Sequence, residues 1–378
     1  MGAAGSSASE PFEVVVAGGG VAGLEACLAL RDLAGDRIKL RLLAPGSEFV
    51  YRPMTVREPF GFARAMRYSI PEFCADVGAE LVPDAVSGVD VARRVVHTAA
   101  GAELRYDALL LGLGAEVRAR YEHAVTVDDK RLDELLHGLI QDVEGGYVKR
   151  LAFVLSAPIA WPLPAYELAL MTARRAYDMN VELSITILTP EDAPLAIFGD
   201  GASRAVAELL AENQIEVISS VYCEIPRTGS IEIAPGDRRL EVDRVVALPG
   251  LHRSGIPGLP EAADGFIPVD EHCRVRGAER VYAAGDATDF VVKFGGIAAQ
   301  QADTAAQAIA ALAGAPVEPQ PFHPVIQAVL ITGEKPLYFS AHITGGYGFG
   351  SEIVKPVDGA QPPKIAARYL APYLDSHA

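Results

Sequence analysis

The stretch VVVAGGGVAGLEACLAL, residues 14–30, decides the fold. The apolar run FEVVVA at 12–17 is long enough for one buried parallel strand. Gly18-Gly19-Gly20-Val21-Ala22-Gly23 then has the spacing GxGxxG. The first glycine of that spacing allows a tight turn. The second lets backbone approach a pyrophosphate, and the third lets helix and strand pack closely. A helix from Val21 to about Leu33 follows, its free N–H groups and positive dipole end turned toward the phosphates. Ile38 to Leu43 alternates basic and apolar residues and closes a right-handed βαβ unit. Glycine spacing of this kind recurs by chance in Gly-rich chains, and its place between strand and helix is what gives it meaning.

A second stretch, VYAAGDATDF at 281–290, makes the reading specific. It is a strand ending in Gly285-Asp286, set to meet the far end of a bound dinucleotide. The two stretches together, in this order and at this separation, indicate an FAD site. Gly18, Gly20, Val21, Ala22 and Gly23 face the pyrophosphate. The Gly285 backbone closes on phosphate and the Asp286 carboxylate accepts from a ribityl hydroxyl. A helix beginning near Gly295-Gly296-Ile297 aims its N-terminus at the pyrimidine edge of the flavin, where reduction builds negative charge. Lys293 adds a full positive charge there, or else is a surface lysine. Ala44, Val86 and Gly114 are assigned to the same site. An acidic residue normally ends the second strand, about 20 residues on, and holds the adenosine ribose. This strand ends Leu42-Leu43-Ala44-Pro45 instead, leaving Glu48 or a backbone group as substitute. Arg52 reaches phosphate or ribose, or is a solvated loop residue.

The expected fold class is α/β, with two Rossmann-like domains, the FAD domain discontinuous. YDALLL at 106–111 is a further buried strand of the first sheet, and LAFVL at 151–155 starts a second βαβ unit. Its helix is expected at Ala165–Tyr177 and its next strand at Val181–Leu188. The boundaries are 12–125 with 265–322 for the FAD domain, 126–264 for a degenerate NAD(P)-binding-like domain, and 323–378 for a C-terminal interface segment. Pro249 to Gly265 reads as a return linker, Gly296 to Leu312 as a long Ala-rich helix, and 1–11 as a flexible leader.

Formal net charge is −16, which repels phosphate backbones and anionic lipid, so nucleic acid is not an expected partner. The N-terminus lacks the basic start and apolar core of a secretory signal, and no apolar run approaches the ~18–20 residues of a membrane span. A cytoplasmic protein with at most peripheral membrane contact is expected. Cys27, Cys74, Cys223 and Cys273 form no CxxC pair, and the eight histidines show no metal-binding spacing, so no metal is expected.

GGGVAGLEA, the turn FVYRP at 49–53, YDALLLGLGA at 106–115 and residues 265–290 together resemble the two-dinucleotide-binding-domain flavoproteins. FVYRP and KFGGIAAQQADTAA at 293–306 are most similar to the branch holding sulfide:quinone oxidoreductases, flavocytochrome c sulfide dehydrogenases and type II NADH dehydrogenases. The resemblance implies an FAD-dependent oxidoreductase that delivers electrons to a quinone or similar acceptor. Two departures from that branch shape the expectation. NADH-using members carry a second GxGxxG, but here the loop is Ser156-Ala157-Pro158-Ile159-Ala160-Trp161-Pro162-Leu163-Pro164. Proline offers phosphate no N–H, so NAD(P)H binding in the usual mode is not expected. The sulfide-oxidising members place redox cysteines in that loop and after the GD motif. Trp161-Pro162 and Lys293-Phe294 stand in those neighbourhoods here, so persulfide chemistry is disfavoured.

The candidate catalytic residues are Lys293, Gln301 and Trp161. Trp161 lines a substrate pocket or is core. Gln300 and Gln301 lie near an acceptor or sit on a solvated face. The tail from Lys364 to Leu374 packs on its own FAD domain or a partner, including a second copy in a homodimer, rather than on a membrane. Two other functions remain open: a flavoenzyme acting on a small organic substrate without NAD(P)H, and a flavin-bearing subunit serving a protein partner.

Overall fold

The computed structural model describes residues 11–61, 64–158, 161–344, 348–353 and 363–377. The leader at 1–10 and part of the C-terminal segment, 354–362, lie outside the described residues, as do Ile159 and Ala160 of the proline loop.

Two five-stranded parallel sheets carry the chain. The first has the order Val281–Ala283, Ala108–Leu111, Phe12–Ala17, Ile38–Leu43, Glu80–Val82. Its strands read as continuous apolar runs because both faces are covered. Ala108, Leu109, Leu110 and Leu111 are each fully buried. The order places Phe12–Ala17 in the middle, with Val14 to Ala17 paired to Ala108 to Leu111 on one side and Phe12 to Ala17 paired to Ile38 to Leu43 on the other. The carboxyl ends of these strands therefore open onto one crevice, where parallel α/β sheets bind their ligands.

The second sheet has the order Val125–Thr126, Arg244–Ala247, Arg150–Val154, Ser184–Leu188, Ile215–Ile218. The helix α4, Leu163–Asp178, follows its central strand. The expected strand at 181–188 starts only at Ser184, because the helix runs to Asp178 and a turn follows. A second correction concerns the return linker. Gly250–His252 is a strand, antiparallel to Glu116–Arg118, so the outgoing and returning chain pair with each other between the two sheets.

Two helices flank the first crevice. α1, Val21–Ala34, opens from the glycine turn, and α6, Gly295–Leu312, follows the Gly285-Asp286 turn. Alanines make their contact close: Ala22, Ala26 and Ala29 of one share a buried cluster with Ala298, Ala302, Ala305 and Ala306 of the other. Small side chains let the backbones approach, which brings both helix N-termini to the same place.

The C-terminal segment forms an antiparallel sheet of Val325–Leu330, Leu337–Thr344 and Gly348–Ile353, and then the short helix α7, Leu370–Ser376. Gln300 of α6 anchors the first of these strands. Its Oε1 accepts from the Val325 amide at 2.9 Å, and its Nε2 donates to the Val325 carbonyl at 2.8 Å. The solvated reading of Gln300 is thus replaced by a two-point tether. Replacing Gln300 by Ala removes both bonds and is expected to cost about 1–3 kcal/mol. Thermal unfolding would show it, together with faster cleavage of the proline-rich stretch at 315–324. An unchanged midpoint and cleavage rate would mean that the sheet docks without this tether.

Candidate functional site

The glycine turn is held by the sheet itself. The Gly18 amide donates to the Leu43 carbonyl at 2.8 Å, and the Gly112 amide donates to the Ala17 carbonyl at 2.7 Å. Gly18 has φ +117°, and a Cβ there would lie 2.2 Å from the Gly112 oxygen. A Cβ on Gly23 would lie 1.8 Å from the Gly18 oxygen, so the helix rests directly on the turn. Gly20 differs, since a Cβ there would meet nothing within 4 Å. The middle glycine faces open space at the N-terminus of α1, the one place in the turn where a phosphate could approach backbone.

The far end of the site converges on the same space. Gly285 has φ +77°, and a Cβ on it would come within 3.0 Å of the Ala298 Cβ and 3.4 Å of the Ala22 Cβ. Gln301 fixes this turn. It is 1% exposed, and its Oε1 accepts from the Gly285 amide at 2.8 Å. Thr288 Oγ1 donates to the Gly285 carbonyl at 2.9 Å. Gln301 is therefore a positioning residue for the GD turn, and the reading of it as a solvated helix residue falls away. Gly296 and Ile297 follow Gly295 in the first turn of α6, and both are buried.

Four charged groups gather beyond the turn. Asp286 is set deep in the protein with one face open to solvent; burial raises its carboxyl, and the Lys293 charge lowers it. Lys293 is 7% exposed, which rules out a surface lysine. Its ammonium donates to the Thr288 carbonyl and sits 3.9 Å from the centre of the Phe266 ring. Burial pulls it down to about 8, against the upward pull of Asp286 and Asp289. Arg52 reaches Asp129 at 3.8 Å, and both also act on Asp286. Asp129 was not singled out from sequence. It lies in the run Asp128-Asp129-Lys130 just after the edge strand of the second sheet, and only the crossing of the chain between the sheets brings it here.

Other expected positions are more peripheral. The Ala44 amide donates to the Val82 carbonyl at 3.0 Å, closing the end of the second strand. Val86 packs beside the cluster holding Val15, Ala17 and Leu43. Gly114 faces open space, and its carbonyl accepts from Arg253 Nη1 at 3.1 Å. Glu48, the suggested ribose partner, lies exposed on a two-stranded ribbon, ion-paired with Arg67 at 3.3 Å. All four cysteines are free and buried. Burial raises the Cys74 thiol to about 11 and the Cys223 thiol to about 12, and pushes Cys27 and Cys273 up as well. None is a thiolate beside the site. Among the described residues no cluster of three His, Cys, Asp or Glu side chains is set to hold a metal ion.

The second nucleotide crevice has a different character. Trp161, after the central strand of the second sheet, stacks on Phe294 at 4.3 Å with 8° between planes, and meets Phe198 edge-on at 5.7 Å. Phe294 is the N-cap of α6, so this stack joins the two Rossmann halves. Pro162 caps α4 and Pro164 sits in its first turn, which removes two N–H groups from the helix start. Glu191, just past the second strand, lies where a ribose-binding acid would stand. It already accepts from Tyr166 Oη at 2.7 Å and Thr189 Oγ1 at 3.0 Å, and burial raises it to about 7.

Sequence reasoning also missed a buried pair on the other side of α6. Lys364 is bonded to Glu167 of α4, with side chains 8% and 1% exposed. The Ile331 amide donates to the same Glu167 oxygen at 2.9 Å. The neighbouring Ile365 would be 3.0 Å from a Cβ on Gly295, and its amide donates to Tyr51 Oη at 2.9 Å. Glu167 lay inside an ordinary helical stretch and Lys364 in a tail, so no local signal joined them.

The glycines give a direct test of the cofactor site. Gly23→Ala should disturb the backbone contact and destabilise the apo-protein by on the order of 3 kcal/mol. Gly20→Ala should leave apo stability within about 1 kcal/mol but lower flavin content in the purified protein. Thermal unfolding and the flavin absorbance band measure the two effects. Equal loss of stability in both variants would contradict the open space at Gly20.

The residues present fit FAD: an open glycine at one helix start, a second helix start beside it, and a carboxyl and an ammonium beyond. Comparison with known proteins agrees. The chain is 25% identical over 325 residues to the alternative NAD(P)H-ubiquinone oxidoreductase C1 of Arabidopsis thaliana, a match covering 73% of this chain and 61% of that relative. It thus spans about three fifths of the relative's length. Its fold matches the sulfide:quinone oxidoreductase of Aquifex aeolicus with a TM-score of 0.78 at 18% identity, covering 91% of this chain and 87% of that one. It also matches a ferredoxin reductase of Rhodopseudomonas palustris with a TM-score of 0.67 at 20% identity, covering 88% and 83%. With residues 12–311 fitting the model of the pyridine nucleotide-disulphide oxidoreductases, the chain belongs to that family, and its cofactor is FAD.

Proposed function

We propose that this protein is an FAD-dependent oxidoreductase that passes electrons to a quinone-class acceptor and takes them from a donor other than NAD(P)H. In this reading residues 12–125 and 265–322 hold FAD through Gly18, Gly20, Val21, Ala22, Gly23, Ala44, Arg52, Val86, Gly114, Gly285, Asp286, Lys293, Gly296 and Ile297. FAD, when bound, supplies the two-electron redox chemistry. Lys293 holds positive charge next to Asp286 and the start of α6, favouring negative charge at that end of the site.

One observation carries the acceptor assignment. A cavity of about 740 Å3 lies between the FVYRP turn, α4, the turn of the C-terminal sheet and α7, and Lys364 is among the residues on its wall. Met54, Met66 and Met171 with Tyr51, Tyr68 and Tyr338 give it adaptable thioethers and flat rings. Arg57, Thr332, Glu334 and Asp375 also line it, and that size and mixture suit a ring compound with polar substituents, as a quinone is. Quinone reduction consumes two protons, and the Lys364–Glu167 pair supports their delivery. Burial lowers the lysine and raises the glutamic acid, which brings a proton on either residue closer to exchange. Ile365 links this wall to Gly295 at the start of α6. The Arabidopsis relative's name specifies ubiquinone, which agrees with this class of acceptor.

The donor assignment rests on the loop and helix start after the central strand of the second sheet. Trp161 stacked on Phe294, prolines that remove two N–H groups from the helix start and a Glu191 already bonded to Tyr166 leave, among the described residues, fewer phosphate donors and no unpaired ribose acceptor at that position for a nicotinamide nucleotide. Persulfide chemistry is disfavoured by four buried, protonated thiols.

An anaerobic absorbance titration tests the donor. NADH and NADPH are expected to leave the flavin band intact, and dithionite to bleach it. Rapid bleaching by either nucleotide would overturn that part. A short-chain quinone added to the dithionite-reduced, desalted protein should reoxidise it. Glu167→Gln is expected to slow that step by 10-fold or more while leaving FAD content unchanged. Reoxidation at the wild-type rate in this variant would remove the pair from the proton path.

A further inference from the structure

Helix α7 contributes Ala371, Leu374 and Asp375 to the wall of the acceptor cavity. What holds it there is unusual for a seven-residue helix. Leu370 and Leu374 are buried in the cluster that also holds Leu30, Phe73 and Ala302. Its N-terminal end rests on a carboxylate from the glycine-turn helix: Glu25, 0% exposed, accepts from the Tyr369 amide at 2.9 Å and from the Leu370 amide. Asp303 of α6 faces Glu25 across the same contact. Its Oδ1 is buried without a hydrogen-bond partner. Two carboxyl groups so placed cannot both ionise cheaply. A proton on Asp303 lets it donate to Glu25, and Glu25 then holds the helix as an anion.

We propose that Glu25 and Asp303 share a single proton, and that this shared proton latches α7 as the removable wall of the acceptor cavity. The function of the latch rests on the cavity being the acceptor site, but the latch itself does not. Arg368 is the cation facing the pair, acting on Asp303 and offering its amide to Glu25. The other polar contacts of α7 and its flanks include Tyr369, whose phenol also feels the Asp303 charge, and two groups on Asp76. Tyr369 Oη donates to Asp32 at 3.0 Å, Tyr373 Oη donates to Asp76 at 2.7 Å, and His377 lies 3.5 Å from Asp76.

The direction of the pH effect follows from linkage. Burial and the Glu25 charge raise Asp303 to about 8 in the docked state, while a free aspartic acid ionises near 4. Docking therefore takes up a proton between those limits. The latch is strongest in acid, weakens as pH rises toward 8, and stops changing above it.

Hydrogen exchange of the purified holoprotein, without acceptor, reads this directly. After correction for intrinsic exchange, protection of the α7 amides should fall by about tenfold per pH unit between about pH 5 and 7.5, then level off. Asp303→Asn, which keeps a donor to Glu25 but cannot titrate, should be flat across that range. His377→Gln should keep the slope. A flat wild-type profile, a slope retained in Asp303→Asn, or a slope lost in His377→Gln would each overturn the proposal. If Asp303→Asn does not fold, Glu25→Gln serves: burial still raises Asp303 but the facing anion is gone, so the slope should end at a lower pH than in the wild type, and an unchanged end point would overturn the shared proton. Failure to reoxidise with quinone while the slope persists would overturn the acceptor reading and leave the latch standing.

Discussion

Everything at the cofactor site depends on how closely two helices approach one glycine turn. The carbonyl of Gly18 lies where any side chain at position 23 would have to go, so α1 is seated on the end of its own strand. The alanine face that α1 shares with α6 then draws the second helix start to the same point. Neither helix end would be useful alone. A single N-terminus attracts one phosphate or one developing charge, whereas two fixed side by side can serve both ends of an extended cofactor. The GD turn between them is held by Gln301, whose side chain meets the amide that a purely backbone turn would leave unpaired.

The first Rossmann unit was legible in the sequence because its physics is local. Glycine spacing, an apolar run and a helix in immediate succession need no distant partner to be understood. The α/β class and the second βαβ unit followed from the same periodicity. What stayed hidden was made by chain crossings. Asp129 meets Arg52 because the chain passes between the sheets, and Lys364 meets Glu167 across nearly two hundred residues. Such pairs leave no pattern in a linear text. Lys293, Gln300 and Gln301 were noticed, but their bland readings were surface ones. Burial of Lys293 and Gln301 and the bonds of half-buried Gln300 make each an anchoring group, and burial of a polar residue is the hardest property to read from composition.

Buried ionisable groups divide the molecule into two chemical regions. Around the FAD end, charges alternate in sign: Asp286, Lys293, Arg52 and Asp129 stand within mutual influence. Toward the C-terminal segment the groups occur in pairs, Glu167 with Lys364 and Glu25 with Asp303, each tying a late element to an early helix. Desolvation makes such pairs costly, and removing one partner costs more than the pair is worth. Their positions at the seams of the C-terminal segment suit elements that must be set accurately.

The paired strands between the sheets have an evolutionary consequence. Glu116 to Arg118 lie opposite His252 to Gly250, so the chain leaves for the second sheet and comes back through one doorway. Neighbouring antiparallel strands are only about 5 Å apart. A turn of two residues could join them, bypassing everything from 119 to 249. The second Rossmann unit is thus a cassette inserted into a hairpin, and the host fold can gain, lose or exchange it without redrawing its own sheet. A cassette of this kind can change the loop that carries its proline and tryptophan while its helix α4 still walls the 740 Å3 cavity.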